Sequence, residues 1–200
     1  MVDYRERSFA ITLFGRRFLA FRSRRESGLQ DPAPTGETVH DVSPADRDPL
    51  FVVSSLLLHD CHQQLTQTEA ESLHVVTGPV VGRTRFLERI VPLELGVQSI
   101  TGAEADAASS AEQFIGLYEF GLFPLAYFHS HPGSGPSATL PSPKDRDTQS
   151  RLESSKSAII GAIFSRDGYV RFYANQWQPQ VRVIGERAKE LDTNVYQLLQ

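Results

Sequence analysis

The sequence predicts a single α/β or α+β domain in which a mixed β-sheet is flanked by helices, preceded by an N-terminal β-hairpin. Segments that alternate like strands interleave with segments that have helical spacing. Residues 157–164, SAIIGAIF, form a nearly continuous apolar run that is typical of a central strand covered on both faces. The 200 residues are 40% hydrophobic, which is enough for one core.

The first 48 residues are predicted to be a hairpin and a linker, separate from a main domain at 49–200. Residues 8–14 and 18–22 read as two strands around a turn that contains Gly15. Residues 23–48 are rich in Pro, Gly, Ser, Asp and Glu and lack apolar periodicity. The hairpin is also basic, which fits either a solvated charged face or a docking surface for an acidic partner; its arginines are Arg5, Arg7, Arg16, Arg17, Arg22, Arg24 and Arg25.

The first half of the main domain is expected to contain one helix and two antiparallel strands. Val53, Leu56, Leu57 and Cys61 follow at i, i+3, i+4 and i+8, which predicts a helix over 49–65. Residues 71–78 and 85–93 have strand character and are joined by a turn that contains glycine and proline.

The second half is expected to interleave helices and strands in the same way. Helical spacing leads up to Gly121, which could end a helix. The segments that follow are predicted as a strand at 125–129, a helix at 143–155, strands at 157–164, 168–173 and 181–184, and a helix at the last residues.

Charge and cysteine content exclude several classes of protein. The net formal charge of -4 gives no general electrostatic reason to bind nucleic acid. Cys61 is the only cysteine, so neither an intrachain disulfide nor a thiolate-rich zinc site is available. The chain starts without an apolar signal core and has no stretch of about 18 apolar residues, so we expect a cytoplasmic protein without membrane contact.

Two histidines one residue apart are the most informative feature of the chain. His129 ends the predicted strand at 125–129 and His131 follows two residues later, so if the strand alternation continues, both imidazoles are expected on the same face. Downstream, Ser142-Pro143-Lys144-Asp145 has the form of a helix start, with serine as the N-cap; capping alone would explain Ser142 and Asp145. A strand-loop-helix connection could also bring Asp145 back against the histidines, giving three metal ligands and a fourth position for water.

These residues resemble the JAMM metalloprotease motif, also called JAB or MPN-plus. The motif has an upstream glutamate, then H-[ST]-H-P, a spacer and S-x-x-D, and the chain matches it at 129–132 and 142–145. The resemblance covers roughly residues 50–175. It implies a JAB/MPN-type mixed sheet with cytidine-deaminase-like architecture, a Zn²⁺ ion bound by His129, His131 and Asp145, and Ser142 as a donor to the developing oxyanion.

The resemblance also implies a catalytic glutamate that acts as general base at the start of an early strand. Glu71 fits best because Gly78 follows seven residues later, although His74 stands where the family's E-x-x-G-x-L-x-G setting has glycine. Glu69 and Glu88 remain alternatives, and a solvent-facing role for Glu71 also remains open.

The spacer is where the chain departs from the eukaryotic members. Ten residues, 132–141, separate His131 from Ser142, whereas the deubiquitinating enzymes typically have seven. The longer spacer is similar to that of bacterial members, including those encoded beside ubiquitin-like conjugation enzymes.

The resemblance therefore implies a zinc-dependent isopeptidase or peptidase that cleaves after the C-terminal glycine of a ubiquitin-like protein, either in deconjugation or in precursor processing. A place in a bacterial antiviral-defence system follows by analogy alone. One alternative is a JAB-type peptidase of phage-tail or cell-wall substrates, or a relative of the RadC proteins. Another is a metal-free MPN-like scaffold. The sequence leaves the oligomeric state open.

Overall fold

The structure is a computed structural model, and it describes residues 7–13, 16–22, 48–92, 95–99, 102–105, 117, 121–154 and 158–199. Its helices are α1 (Ser55–Leu65), a short 3-10 helix (Pro136–Thr139) and α2 (Pro143–Ser154). Its strands, in chain order, are β1 (Arg7–Leu13), β2 (Arg16–Arg22), β3 (Leu50–Ser54), β4 (Leu73–Gly78), β5 (Val80–Val81), β6 (Thr84–Leu87), β7 (Arg89–Pro92), β8 (Leu95–Ser99), β9 (Gly102–Ala105), β10 (Phe123–Ser130), β11 (Ile160–Phe164), β12 (Tyr169–Tyr173), β13 (Gln180–Ile184), β14 (Ala188–Asp192) and β15 (Val195–Leu198).

The described part of the main domain contains two mixed sheets and a separate antiparallel pair, β8 and β9. The larger has seven strands in the order β14-β15-β12-β11-β10-β4-β7, with β10 and β11 parallel and the other neighbours antiparallel. The smaller has the order β13-β3-β6-β5, with β3 parallel to both of its neighbours. The fold is therefore mixed α+β, as the sequence predicts.

The two faces of the larger sheet have different roles. Directly opposite residues point to the same face, so the buried side chains of Phe128, Ala162 and Phe172 form one row. This face packs against Phe51 of β3 and Leu58 of α1 in the main core. The opposite face carries His129. One face of the larger sheet therefore packs in the core, and the candidate metal ligand lies on the other face.

The predicted helix at 49–65 is wrong in its first part. Residues 50–54 are strand β3, and α1 starts at Ser55. Leu50-Phe51-Val52-Val53 pairs on both sides with parallel strands that come from distant parts of the chain, and this pairing overrides the helical spacing. The buried stripe of α1 is Ser55, Leu58, Cys61 and Leu65, whereas Leu56 is 58% exposed.

Two other predicted elements also differ from the structure. The predicted strand at 85–93 is split at Glu88: β6 joins the smaller sheet and β7 pairs antiparallel with β4 in the larger one. The expected C-terminal helix is instead the antiparallel pair β14 and β15.

Several expectations are confirmed. The strands β1 and β2 pair antiparallel as a hairpin, and β11 is buried at every position in the middle of the larger sheet. Gly121 has a positive φ of 72°, as a glycine that ends a helix does, although most of the predicted helix before it lies outside the described residues. The linker at 23–47 also lies outside them, so the boundary at 48 stays a prediction. Among the described helices, none has the length and apolarity needed to cross a membrane.

Candidate metal centre

The end of strand β10 positions the two histidines. His129 lies on the strand, and His131 follows its last residue, Ser130. His129 lies opposite Leu73 of β4 and Ile163 of β11, and is 4% exposed. Ser130 faces the other way, where its Oγ donates to the carbonyl oxygen of Leu65 at the end of α1. Since Ser130 also exchanges hydrogen bonds with Ser72, the strand end is fixed on both sides.

Helix α2 supplies the carboxylate from its first turn. The backbone amide of Ser142 donates to Asp145 Oδ2 at 2.7 Å, and the amide of Asp145 donates to Ser142 Oγ at 3.2 Å. The carbonyl of Ser142 accepts the first helical bond, from Arg146 at 3.1 Å. This reciprocal cap fixes the Asp145 side chain at the N-terminus of α2, where the helix dipole also favours negative charge.

The three side chains converge at a single point. His129 Nε2 and His131 Nε2 are 3.3 Å apart. Asp145 Oδ1 lies 3.2 Å from the first of these nitrogens, and Oδ2 lies 3.3 Å from the second. Tetrahedral ligands placed 2.0–2.1 Å from zinc would be about 3.3 Å from each other. His129, His131 and Asp145 therefore form a group that can hold a metal ion.

The tautomer of His131 suits metal binding. Its Nδ1 is 2.8 Å from the carbonyl oxygen of Ala138, and because a carbonyl only accepts, Nδ1 carries the hydrogen. Nε2 then presents a lone pair to the cluster, the arrangement found for most metal-bound histidines. The Nδ1 atom of His129 is buried and has no hydrogen-bond partner among the described residues.

The electrostatics of the cluster keep the carboxylate charged. Burial alone would raise the pKa of Asp145, but hydrogen bonds with His129 and His131 outweigh it and hold the pKa well below its usual range. Burial also disfavours the charged form of His131 and on its own would lower the pKa. Hydrogen bonds with Asp145 and the Ala138 carbonyl outweigh this effect and raise the pKa of His131 above a histidine's ordinary value. The site therefore favours positive charge next to an ionised aspartate.

The structure distinguishes between the three candidate glutamates. Glu71 is half-buried just before β4, where it interacts electrostatically with both histidines and with Asp145; burial raises its pKa above the ordinary value, against the lowering effect of the histidines. The Glu69 side chain is 88% exposed and pairs with Arg166 at 3.5 Å. Glu88 is exposed between β6 and β7. Of the three, Glu71 is the one next to the candidate ligands.

Several hydrogen bonds fix the conformation of the long spacer at 132–141. Gly133 accepts a hydrogen bond from the amide of Arg166, and the amide of Gly135 donates to both carboxylate oxygens of Asp167 at 2.8 and 2.9 Å. Gly135 has φ 79°, a conformation that a residue with a Cβ would adopt only under strain. Thr139 is fully buried and accepts a hydrogen bond from Arg171 Nε at 3.3 Å. The spacer thus holds the Ala138 carbonyl against His131.

Sequence reasoning missed the residues that support the ligands. The Ser130 contact could have been foreseen, because strand alternation turns Ser130 away from the histidines. Asp167 and Arg171 come from the β11–β12 segment more than 30 residues away. Ala138 acts through its backbone. No local pattern points to these three.

Comparisons with known proteins support the fold alone. No protein-family model and no curated protein matches the chain. A protein from Desulfitobacterium hafniense, determined in solution, superposes with a TM-score of 0.52 at 18% identity, covering 68% of this chain and 94% of its own. A JAB1/MPN domain protein from Archaeoglobus fulgidus gives a TM-score of 0.41 at 14% identity, covering 66% of this chain and 97% of its own, too loose a likeness to assign a fold or a function.

Proposed function

We propose that the protein is a zinc-dependent peptidase or isopeptidase that cleaves after the C-terminal glycine of a ubiquitin-like protein in the cytoplasm. One observation carries the proposal. Two imidazole nitrogens and one carboxylate converge at separations of 3.2–3.3 Å, on the residues where the sequence resembles the JAMM motif. Three protein ligands with a remaining open position are typical of catalytic rather than structural zinc sites.

The donor set fits zinc better than magnesium or calcium. Both of those ions prefer oxygen ligands at larger coordination numbers, whereas two imidazoles with one carboxylate suit zinc. His131 presents a lone pair because the Ala138 carbonyl holds the hydrogen on Nδ1. The ionised Asp145 supplies the negative charge. His129, His131 and Asp145 would hold the ion.

When bound, zinc supplies a Lewis acid that polarises the scissile carbonyl and acidifies water. Glu71 accepts a proton from the attacking water and returns it to the leaving amine, as a half-buried carboxylate with a raised pKa can do. Ser142 Oγ accepts the amide hydrogen of Asp145, and its hydroxyl also hydrogen-bonds the Asp145 carboxylate. A hydroxyl can rotate, so this donor would turn to the developing oxyanion.

The proposed substrate follows from the motif resemblance and from chain geometry. An extended tail that ends in glycines can approach a metal site closely because it has no side chains to clash. Such a tail could add to an exposed sheet edge by backbone hydrogen bonds. Processing of a precursor cleaves a peptide bond and removal of a conjugate cleaves an isopeptide bond, but both are amides of the same C-terminal glycine carbonyl, so the proposal covers both.

The test is cleavage of a ubiquitin-like protein joined through Gly-Gly to a reporter. We expect zinc-dependent release of the reporter that stops after the site is stripped with a chelator and resumes when zinc is restored. Glu71→Gln should stop cleavage while the protein keeps its zinc. Zinc binding without cleavage of any Gly-Gly fusion would overturn the proposed function, and so would a chain that binds no zinc.

A further inference from the structure

A polar groove opens beside the candidate metal centre. It has a cavity volume of about 460 Å³ and is lined by the end of the spacer, the start of α2, the end of β12 and the segment that follows. Leu140 and Pro141 line it and lead directly into Ser142, while Arg146 lines it next to Asp145. A substrate held at the ligands would therefore have part of its chain in or near this groove.

The register of the larger sheet places Arg171 on the metal-bearing face. His129 of β10 lies opposite Ile163 of β11, and Ile163 lies opposite Arg171 of β12. Opposite residues share a face, so His129 and Arg171 point the same way. With neighbouring strands about 4.8 Å apart, their backbones are separated by about 10 Å. Arg171 approaches the groove from the sheet, and Arg146 approaches it from α2.

The groove is positively charged although the chain as a whole is acidic. Arg146 and Arg171 line it, and none of its lining residues is an aspartate or glutamate, whereas the chain has a net charge of -4. Within the described residues neither arginine has an ion-pair partner: Arg171 uses Nε to bind Thr139, and Arg146 reaches the side-chain oxygen of Asn175 at 3.5 Å.

The neighbouring acids are already engaged. Glu153 accepts hydrogen bonds from Gln149 and from the backbone amides of Asn175 and Gln176. Asp145 faces the two histidines. Two guanidinium groups that line a groove with no carboxylate among its own lining residues can bind an anion, and planar guanidinium groups match a carboxylate in particular.

We propose that this groove binds a carboxylate of the substrate close to the scissile bond, supplied either by an acidic side chain or by a C-terminal carboxylate. This inference rests on the proposed peptidase function, since it places the carboxylate beside the cleaved amide. It adds a specificity element, because a substrate with a neutral group at that position would leave both arginines unpaired.

The chain carries its own reporter for the test. Trp177 is its single tryptophan, lines the groove and stacks on Phe51 with ring centroids 5.9 Å apart. Tryptophan fluorescence of the zinc-loaded full chain, carrying Glu71→Gln so that the peptides are not cleaved, would be titrated with three acetylated peptides. Gly-Gly-Asp amide offers a side-chain carboxylate, Gly-Gly-Asn free acid a terminal one, and Gly-Gly-Asn amide offers neither.

We expect at least one charged peptide to bind about tenfold more tightly than the neutral peptide, as one charge-assisted contact provides. The preferred charged peptide identifies the source of the carboxylate. Arg146→Gln and Arg171→Gln should each remove most of this preference. Arg182→Gln, which changes an exposed arginine of β13 outside the groove, should keep it. Arg171 also hydrogen-bonds Thr139 in the spacer, so Arg171→Gln could act through the spacer as well as through the groove. Arg146→Gln is therefore the more specific test of the groove.

Two results would overturn the inference: equal affinity for all three peptides, or a preference that survives both groove substitutions. Repeating the titration in EDTA provides a further check. A preference that disappears with the metal would mean that the carboxylate binds zinc, which also overturns the inference. Arginine-dependent binding without hydrolysis of any Gly-Gly substrate would support the groove while removing the peptidase proposal, so the two proposals can fail separately.

Discussion

Asp167 should control zinc affinity even though it does not touch the candidate ligands. Its carboxylate holds the amide of Gly135, three residues before the Ala138 carbonyl that orients His131. It also accepts a hydrogen bond from Ser165 Oγ at 2.7 Å, which ties it to the end of β11. Asp167→Ala removes one anchor of the spacer and changes none of the candidate ligands.

The size of the effect follows from these contacts. A hydrogen bond to a charged group contributes about 1.5–3 kcal/mol when shielded from water, and Asp167 is exposed, so we discount the loss to about 1 kcal/mol. If the lost free energy acts by displacing the Ala138 carbonyl that orients His131, zinc affinity should decrease about fivefold. If it falls on the fold, the Tm should decrease by about 2–4 °C.

Competition with a chromogenic chelator would measure the zinc Kd, and circular dichroism with the metal removed would give the Tm. Asp192→Ala is the matched control, because Asp192 is also an exposed aspartate that accepts a backbone amide, that of Thr193, and within the described residues it has no hydrogen bond to the spacer. An unchanged zinc Kd in Asp167→Ala would refute the inference that the spacer orients His131.

Three further changes have defined outcomes. Glu71→Gln should decrease kcat by a factor of about 10²–10⁴ without changing zinc affinity, whereas Glu69→Gln should match the wild type. An equal decrease in kcat in both variants would contradict the role of Glu71 as the general base. Ser130→Ala should decrease the unfolding free energy by about 1–3 kcal/mol in urea titrations, because it removes the hydrogen bond to the carbonyl of the buried Leu65. Burial lowers the pKa of His74, so at this residue the unfolded chain binds more protons than the folded chain as the pH falls through a histidine's ordinary pKa. The contribution of His74 to metal-free stability should decrease over this range, in the opposite sense to that of His131. His74→Leu should therefore make the protein more resistant to acid than the wild type, and an unchanged pH dependence would contradict this.

The sequence predicts the site better than the sheet around it. Alternation on β10 and the cap at Ser142 are local signals, and both appear in the structure as expected. Whether His129, His131 and Asp145 bind zinc, and whether Glu71 and Ser142 act in catalysis, stay predictions. Local sequence patterns predict which side chains form the group, whereas the fold of the backbone brings those side chains together.

Errors arise where distant segments decide the local structure. Leu50–Ser54 becomes a strand because β6 and β13 pair with it on both sides, a constraint that the residues 49–65 do not contain. Ser54 could have marked the true helix start, since its side chain accepts the amide hydrogen of Leu57 as an N-cap does. Arg171 lies on the same face as His129 because of a register across three strands, which no single segment encodes.

Zinc binding by the wild type and by Asp145→Asn is the most direct test of the central claim that two histidines and one aspartate hold a single metal ion. Asp147→Asn is the control, because Asp147 lies on the same helix and pairs with Arg151 on its exposed side. We predict one zinc per wild-type and per Asp147→Asn chain, with affinity decreased by about a hundredfold or more in Asp145→Asn. Equal zinc affinity in all three proteins, or no zinc in the wild type, would contradict the claim.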